Sequence, residues 1–320
     1  MKIELEPGTY VVAVSGGVDS MALLHMLWQQ SQLSVISNPS SVEETDNRQQ
    51  TTDNSNRWRF VVAHFDHGIR KDSELDRKLV QHAASQHGLQ FIYDEGKLGA
   101  AASEDTARQD RYKFLHKVRE SASAKAIITA HHQDDVLETA ILNILRGTGR
   151  RGLSSLKSTV IVKRPLLDFS KSEIINYALS KGLHWNEDPT NIDTNYLRNH
   201  IRHNIIPKLD KETAEKFLGI IKNARLQNEN IDAHLANHLH MHPAIDRLDR
   251  LQFIMLPHNV ASEVMAAWLR VHGVRQFDRK SIDRLVISAK TRRAGARIDV
   301  NKRLKLLLSA YSLALIEHDY

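Results

Sequence analysis

The chain has 320 residues, of which 41% are hydrophobic and 26% charged, and this length is enough for two domains that each bury a core. It contains no cysteine, which excludes disulfides, thiolate metal sites, iron–sulfur clusters and thiol nucleophiles. The opening MKIELEPGTY has no apolar signal core, and no run of about eighteen apolar residues occurs, so we expect a cytoplasmic protein that does not span a membrane.

The net charge of +6 is distributed unevenly along the chain. Residues 1–212 hold 27 Lys/Arg and 27 Asp/Glu, whereas residues 213–320 hold 17 and 11. Within 275–305 there are 11 basic and only 3 acidic residues. That density suits the phosphates of a polyanion such as a nucleic acid, and a solvated basic face is the alternative interpretation.

The first half of the chain alternates β-branched runs with amphipathic helical segments. Strands are predicted at 9–14, 58–65, 89–93, 125–130 and 159–162. Helices are predicted at 19–30, 72–87, within 103–120, at 134–146, and after the capping box of Ser170 and Glu173, ending near Gly182. This alternation predicts right-handed crossovers and therefore an α/β fold with a doubly wound, Rossmann-like parallel sheet.

The second half of the chain changes its pattern after Pro207. Helical periodicity dominates at 212–235, 261–271 and 281–288, while 296–300 and 304–316 fit either a hairpin or a strand and a helix. We therefore predict an α/β domain over 1–212 and a smaller, mainly helical, basic domain over 213–320. Residues 38–57 are almost wholly polar and lack periodicity, so they are predicted to be a flexible insertion.

The strongest chemical signal follows the first predicted strand, where Ser-Gly-Gly-x-Asp-Ser leads directly into a helix. Glycines allow a tight turn and close approach of a ligand, while amides at the helix start and serine hydroxyls bind anions. The loop lacks the Gly-Lys-Ser/Thr of a Walker loop and the Gly-x-Gly-x-x-Gly of a dinucleotide site. It therefore predicts a pyrophosphate cradle, against the alternative of a plain turn with a serine cap. The loop residues are Ser15, Gly16, Gly17, Val18, Asp19 and Ser20.

Two further segments follow predicted strands, at the edge where parallel sheets bind ligands. The first is 64–70 (HFDHGIR), and the second is 130–139 (AHHQDDVLET). In the second segment Asp135 and Glu138 are three residues apart and share a helix face, while Asp134 suits the positive end of the helix dipole. Arg108, Arg111 and Tyr112 share a face of the intervening helix. Each segment alone is compatible with ordinary caps and turns.

In this order, the motifs resemble a known family. The loop is similar to that of the PP-loop ATP pyrophosphatases, which cleave ATP between its α and β phosphates. The whole set resembles the tRNA(Ile)-lysidine synthetase family within that superfamily. The ordered matches span about 15–207 and comprise the loop, 64–70 (HFDHGIR), 107–112 (ARQDRY), 130–139 (AHHQDDVLET), 146–153 (RGTGRRGL), 164–167 (RPLL), 188–191 (DPTN) and 198–203 (RNHIRH).

The resemblance implies an activity. Members of the family use ATP and Mg²⁺ to adenylate the wobble cytidine of tRNA(Ile) with a CAU anticodon. They then join free L-lysine to carbon 2 of the base, releasing AMP and pyrophosphate. Residues 1–212 would be the catalytic domain, and residues 213–320 would correspond to the first carboxyl-terminal tRNA-binding domain. A further domain of longer members has no counterpart in this sequence.

The resemblance also implies roles for individual residues. The loop residues would hold ATP, with His64 and Arg70 nearby. The catalytic residues would be Arg111, Asp135, Arg198 and Arg202. The lysine site would comprise Arg111, Asp135 and Glu138. The arginines that orient or activate the target cytidine would be Arg198 and Arg202.

Several alternatives stay open at this stage. A tRNA thiolase of the same superfamily is the second candidate among enzymes, and the absence of cysteine argues against it. A non-catalytic ATP-binding sensor is the candidate from another class, although such a sensor needs neither a carboxylate pair nor base-activating arginines. The oligomeric state is undetermined, with a homodimer as one alternative. A metal site or a solvated helix end would account for His234, His238, His240 and His242.

Overall fold

The computed structural model describes residues 3–36, 57–68, 73–96, 104–187, 197–238, 247–274 and 277–318. It divides the chain into two compact units. The first comprises Met1–Thr148 and Gly152–Ile221, and the second comprises Gly149–Arg151 and Lys222–Tyr320. The division thus falls inside a helix, beyond the boundary at 212 that the sequence suggests. Apart from Arg57, the predicted insertion at 38–57 lies outside the described residues.

The first unit is built on a five-stranded parallel sheet in the order β3-β2-β1-β4-β5. The strands are β1 Gly8–Ala13, β2 Trp58–Asp66, β3 Gln90–Glu95, β4 Ala126–Ile128 and β5 Val162–Lys163. The helices are α1 Val18–Ile36, α2 Ser73–Gln86, α3 Glu104–Ser121, α4 Gln133–Leu145, α5 Arg150–Leu153, α6 Lys171–Ser180 and α7 Leu197–His200. A π-helical turn Ile201–Ile205 and a 3-10 turn Ile206–Lys208 then lead to α8 Lys211–His238.

Alternation along the strands creates a core on each face of this sheet. Val12 of β1 packs in a cluster with residues of α1, α2 and α6, whereas its neighbour Val11 packs in a second cluster with residues of α3. Both valines are completely buried. Successive side chains that face opposite cores, between layers of helices, confirm the predicted doubly wound fold.

A third apolar cluster fixes the helix that follows β4. Val136, Leu137 and Ala140 of α4 pack with Leu156 and with Ile221 of α8, which is 1% exposed. The first unit therefore extends past residue 212, because the opening turns of α8 cover α4. This packing also holds the predicted carboxylate segment at the start of α4.

The strand order has a direct consequence for ligand binding. Chain order runs outward from β1 to β2 and β3 on one side and to β4 and β5 on the other. Crevices form where the order reverses, here beyond the carboxyl ends of β1 and β4. The Ser-Gly-Gly-x-Asp-Ser loop leaves β1 and the 130–139 segment leaves β4, so the two strongest motifs flank this crevice.

Most predicted elements are found within a few residues of their expected positions. The capping box of Ser170 and Glu173 opens α6, and Gly88 and Gly182, with φ of +64° and +61°, follow the ends of α2 and α6. The predicted position of the fifth strand, 159–162, is wrong, since β5 occupies Val162–Lys163. Thr159 instead forms a local turn, in which its side chain accepts from the Val162 N–H at 2.9 Å.

The second unit combines helices with an antiparallel sheet in the order β6-β9-β8-β7. The strands are β6 Arg247–Asp249, β7 Arg297–Asp299, β8 Leu304–Leu308 and β9 Ser312–Glu317, and the helices are α9 Arg250–Met255, α10 His258–Val271 and α11 Arg279–Thr291. Its core includes the buried Trp268, Met265 and Leu306. Of the two interpretations of the chain end, the hairpin is correct, and the short β6 and α9 were not predicted.

Candidate active site

The loop after β1 is closed by its own serine side chains. Gly16 has φ of +96°, a conformation that side-chain-bearing residues rarely adopt. The Ser15 N–H donates to Ser20 Oγ at 3.2 Å, and the Ser20 hydroxyl donates to the Gly17 carbonyl at 2.9 Å. Because Ser20 has only one hydroxyl hydrogen, Ser15 is the donor in the 3.2 Å contact between the two hydroxyls. Ser20, predicted as an anion ligand, therefore also shapes the turn.

The outer side of this loop is braced by two residues that the sequence analysis did not select. The backbone N–H of Asn186 donates to the Gly16 carbonyl at 3.0 Å, and its side-chain amide donates to Asp76 at 2.7 Å. Asp76 is buried at the start of α2, and a β-carbon added at Gly16 would lie 3.2 Å from that of Asp76. Only glycine therefore fits between the loop and α2 without movement.

His64 lies near the end of β2 and is 3% exposed. Its Nδ1 lies 2.9 Å from the Val14 carbonyl, which is an acceptor only, so Nδ1 carries the hydrogen. Burial lowers the pKa of His64, and the ring is therefore neutral with its lone pair on Nε2. That atom is buried and has no hydrogen-bond partner among the described residues, so it is an unsatisfied acceptor. Arg70, predicted beside it, lies outside the described residues.

Asp19 extends from the first turn of α1 into a cationic neighbourhood. The Lys171 ammonium contacts both of its carboxylate oxygens at 2.7 Å, and His132 Nε2 lies 3.7 Å away. Lys171 is the first residue of α6, where the capping box of Ser170 and Glu173 fixes the backbone. Sequence reasoning missed Lys171, although its place directly after a cap at a ligand edge was a usable signal.

The two carboxylates predicted on one face of α4 are found together and are buried. Asp135 is 7% exposed and Glu138 1% exposed. Arg202 binds both, since its Nε donates to Glu138 Oε1 at 2.5 Å and its Nη2 lies 3.2 Å from Asp135 Oδ1. A second Arg202 bond reaches Glu138 Oε2 at 3.0 Å, and Arg198 Nε reaches the same atom at 3.4 Å. The predicted lysine and cytidine groups thus form one cluster.

Ionisation of this cluster follows from its contacts. Burial favours neutral forms, but Glu138 and Asp135 outweigh that effect and raise the pKa of Arg202. Burial likewise opposes ionisation of Asp135, yet His132 and Arg202 together lower its pKa. Asp135 also accepts the His132 N–H at 2.9 Å, at the start of α4. Arg202 lies in the π-helical turn Ile201–Ile205, a rare geometry that recurs at functional sites.

A neutral histidine surrounded by arginines lies beside the carboxylates. Burial, opposed by Asp135 and assisted by Arg164, Arg111 and Arg108, lowers the pKa of His131 to about 3. Its Nδ1 lies 2.8 Å from the Thr129 hydroxyl. Arg111 also lies 5.7 Å from the centre of the Tyr112 ring. Arg111 therefore lies near enough to His131 for its charge to act on that ring.

The histidines of the 234–242 segment are one candidate for a metal site in the sequence analysis. Among the described residues, no group of three or more His, Cys, Asp or Glu is arranged to hold a metal ion. His234 is exposed on α8, while His240 and His242 lie outside the residues that the structure describes. Within those same described ranges, no helix has the length and apolarity needed to cross a membrane.

Comparison with known proteins defines the class. Residues 3–209 match the family model of the PP-loop domain. The tRNA(Ile)-lysidine synthase of Chlorobaculum tepidum is 34% identical over 248 residues, which cover 74% of this chain and 68% of that protein. That of Thermotoga sp. (strain RQ2) is 37% identical over 63% of this chain and 46% of the relative. The chain therefore belongs to the PP-loop family and, within it, to the family of the tRNA(Ile)-lysidine synthases.

The matched segment spans about half the length of several of these relatives. Among solved structures, the U34-tRNA thiolase NcsA from Methanococcus maripaludis, with its [4Fe-4S] cluster, aligns with a TM-score of 0.53 at 14% identity, over 70% of this chain and 74% of that one. That likeness shows the fold alone, and this chain has no cysteine with which to bind such a cluster.

Proposed function

We propose that this chain adenylates the wobble cytidine of tRNA(Ile) with a CAU anticodon and joins lysine to carbon 2, forming lysidine. The observation that carries the proposal is the pairing, across one crevice, of a PP loop with a buried, same-face carboxylate pair. The loop suits a polyphosphate and the pair suits an ammonium group. A ligase that consumes ATP and an amino acid needs both.

The loop supports the first half-reaction. Oxygen 2 of the cytosine attacks the α phosphate of ATP, and the bond to the β phosphate breaks, so that pyrophosphate leaves. Amides at the start of α1 stabilise the charge that develops on the leaving group. Mg²⁺ fits here because it prefers oxygen ligands and phosphates, and the Asp19 carboxylate, 27% exposed, supplies such oxygens. When bound, Mg²⁺ would neutralise phosphate charge.

The neutral His64 supports binding of the nucleoside end of ATP. Its Nε2 can only accept a hydrogen bond, and such an acceptor suits an amine or ribose hydroxyl rather than a phosphate. The phosphates are then left to the loop amides and to the cations around Asp19. This division matches the family's use of ATP as an adenylating agent.

The carboxylate pair supports the second half-reaction. In that step the ε-amine of lysine attacks carbon 2 of the adenylated base and AMP leaves. A carboxylate pair stabilises the protonated form of an amine, so it suits the α-ammonium group and leaves the ε-amine free to lose its proton. Arg202 already occupies Asp135 and Glu138. The substrate lysine would therefore share these carboxylates with Arg202, or it would displace Arg202 toward the target cytosine.

Recognition of tRNA is assigned to the basic second unit. The exposed Lys280, Arg292 and Arg293 belong to the segment in which basic residues outnumber acidic ones by 11 to 3. Such a surface would bind phosphates and give salt-dependent affinity. A substrate of this kind would place the protein in the cytoplasm.

The test is incubation with ATP, lysine and transcripts of tRNA(Ile) that differ only at the wobble base. Nucleoside analysis should detect lysidine with the CAU anticodon alone, together with AMP and pyrophosphate in equal amounts. ATP binding without pyrophosphate release on addition of tRNA would indicate a sensor instead. A product with sulfur at the base would indicate a thiolase.

A further inference from the structure

Lys171 makes the closest side-chain contact with the PP loop that the described residues show from outside it. Its ammonium lies 2.7 Å from each oxygen of Asp19, across 152 residues of sequence. The two side chains keep intermediate exposure, at 36% for Lys171 and 27% for Asp19. The pair is therefore accessible from the crevice rather than sealed in a core.

The ion pair of Lys171 and Asp19 affects the charge that a phosphate ligand would meet at the loop. A polyphosphate on the loop amides brings several negative charges next to the Asp19 carboxylate, and like charges at this range repel strongly. Lys171 cancels the Asp19 charge in the free protein. It is also a flexible, compact cation with three N–H donors, which suits phosphate oxygens.

The Lys171 ammonium would have only a short distance to move from Asp19 to an anion bound on the loop. Asp19 is the second residue of α1, whose first amides form the anion-binding end of the loop. The capping box holds the Lys171 backbone, with the Ser170 N–H donating to Glu173 Oε2 at 2.8 Å. Only the lysine side chain needs to rotate to move its ammonium from the carboxylate to an anion bound beside it.

We propose that Lys171 is a ligand of the β and γ phosphates of ATP, and that its bond to Asp19 is the position it takes without nucleotide. The inference rests on the ATP binding proposed above. Lys171 then cancels the Asp19 charge until the nucleotide arrives, and afterwards donates to the departing pyrophosphate while the Asp19 oxygens are free for the Mg²⁺ that would accompany ATP. No covalent step is assigned to it.

The test measures binding by calorimetry with α,β-methylene-ATP, pyrophosphate and AMP. Loss of one charge-assisted bond in Lys171→Met should weaken the first two about ten- to a hundredfold. AMP lacks the β and γ phosphates, so its affinity should change less than about twofold. Lys171→Arg should restore most of the loss. Lys181→Met, at the exposed far end of α6, is the matched control and should change none of the three.

A second measurement uses the unmodified protein and so does not depend on folding of a variant. Methylene-ATP and pyrophosphate should protect the Lys171 amine from acetylation, measured by mass spectrometry, whereas AMP should not. Equal loss of all three ligands in Lys171→Met would make Lys171 a structural residue and overturn the proposal, as would no loss or absence of protection. An unmodified protein that bound neither nucleotide would overturn the proposed function as well.

Discussion

At the scale of single residues, the two carboxylates predicted for the lysine site, Asp135 and Glu138, differ in their hydrogen bonds. Glu138 is 1% exposed and accepts two bonds from Arg202 and one from Arg198. Asp135 makes a single bond to Arg202 and also accepts the N–H at the start of α4. The three-residue separation of Asp135 and Glu138 on α4 does not reveal this difference. The difference depends on which arginine reaches which carboxylate oxygen.

We therefore expect Glu138→Gln to be the more damaging of two isosteric variants. It leaves the partly exposed Arg202 guanidinium with Asp135 as its remaining counter-charge beside a buried neutral amide, a change that costs about 1–3 kcal/mol. Pyrophosphate release and lysine use should both fall. Asp135→Asn should keep pyrophosphate release and require about ten- to a hundredfold more lysine. Parallel assays of tRNA-dependent pyrophosphate release and of lysine dependence test this, and identical effects of the two variants would contradict it.

His131 provides a pH prediction. Its pKa is lowered to about 3 in the folded state, against about 6.5 when unfolded. Between these values the unfolded chain binds the proton and the folded chain does not, so stability falls as the pH drops from about 6.5 toward 3. The slope for one such site approaches about 1.4 kcal/mol per pH unit.

The check is thermal unfolding of His131→Gln and of the unmodified protein at pH values from 7 down to about 4, within the titration window of His131. The variant should lose less stability on acidification. The lowered pKa of Asp135 acts in the same direction but only below its ordinary value near 3.8, so the two effects separate. If the stability of the two proteins changed with pH in the same way, a group other than His131 would cause the loss of stability in acid.

At the scale of elements, the PP loop depends on helices far away in sequence. Gly16 is set by the β1–α1 turn, but Asp76 of α2 and Asn186 after α6 decide how much room it has. Likewise, α4 keeps its carboxylates in place because Val136 and Ala140 pack against Ile221 of α8. The site is therefore a property of several elements together.

Gly16→Ala and Gly88→Ala separate backbone strain from crowding. Both glycines have positive φ, at +96° and +64°, so each substitution costs about 1–2 kcal/mol in unfolding free energy. Nothing lies within 4 Å of a β-carbon at Gly88, whereas one at Gly16 meets Asp76 at 3.2 Å. We expect both variants to unfold at lower temperature and only Gly16→Ala to lose binding of methylene-ATP. Equal nucleotide affinity in the two variants would exclude the contact with Asp76 as a determinant.

At the scale of the whole molecule, the position of the division between units changes how tRNA binding must be tested. Removing all residues after 212 would delete Ile221 and expose the apolar side of α4, which carries Asp135 and Glu138. Loss of activity in that truncation would not isolate the basic segment. Charge reversals on the intact chain avoid the problem, because exposed basic residues support no core.

Reversal of Lys280, Arg292 and Arg293 to glutamate should weaken tRNA binding strongly and reduce its salt dependence. Each lost phosphate contact lowers the slope of log affinity against log salt by about 0.7–0.9. Lys211→Glu with Lys216→Glu, two exposed lysines of the first unit, is the control and should have the smaller effect. Filter binding over a range of salt concentrations measures both. Equal losses in the two sets would favour the alternative of a merely solvated basic face.

The sequence by itself determined what depends on neighbouring residues. Strand and helix periodicity, the glycine-rich turn, the capping box of Ser170 and Glu173, and the positive-φ Gly88 and Gly182 are all local, and each was predicted. The sequence does not decide between hairpin and helix at the chain end, because Leu304–Leu308 is a strand only through pairing with β7 and β9.

Only the tertiary structure decided which charged groups meet. Arg202 reaches Glu138 across 64 residues, Asn186 reaches Asp76 across 110, and Lys171 reaches Asp19 across 152. No periodicity links such positions, since their separation depends on which helices pack beside which strand ends. The sequence therefore identified the loop and the carboxylates, while the packing of α6, α7 and the π-helical turn supplied their cations. Side-chain spacing encodes a face of a helix, but only the assembled fold determines what that face contacts.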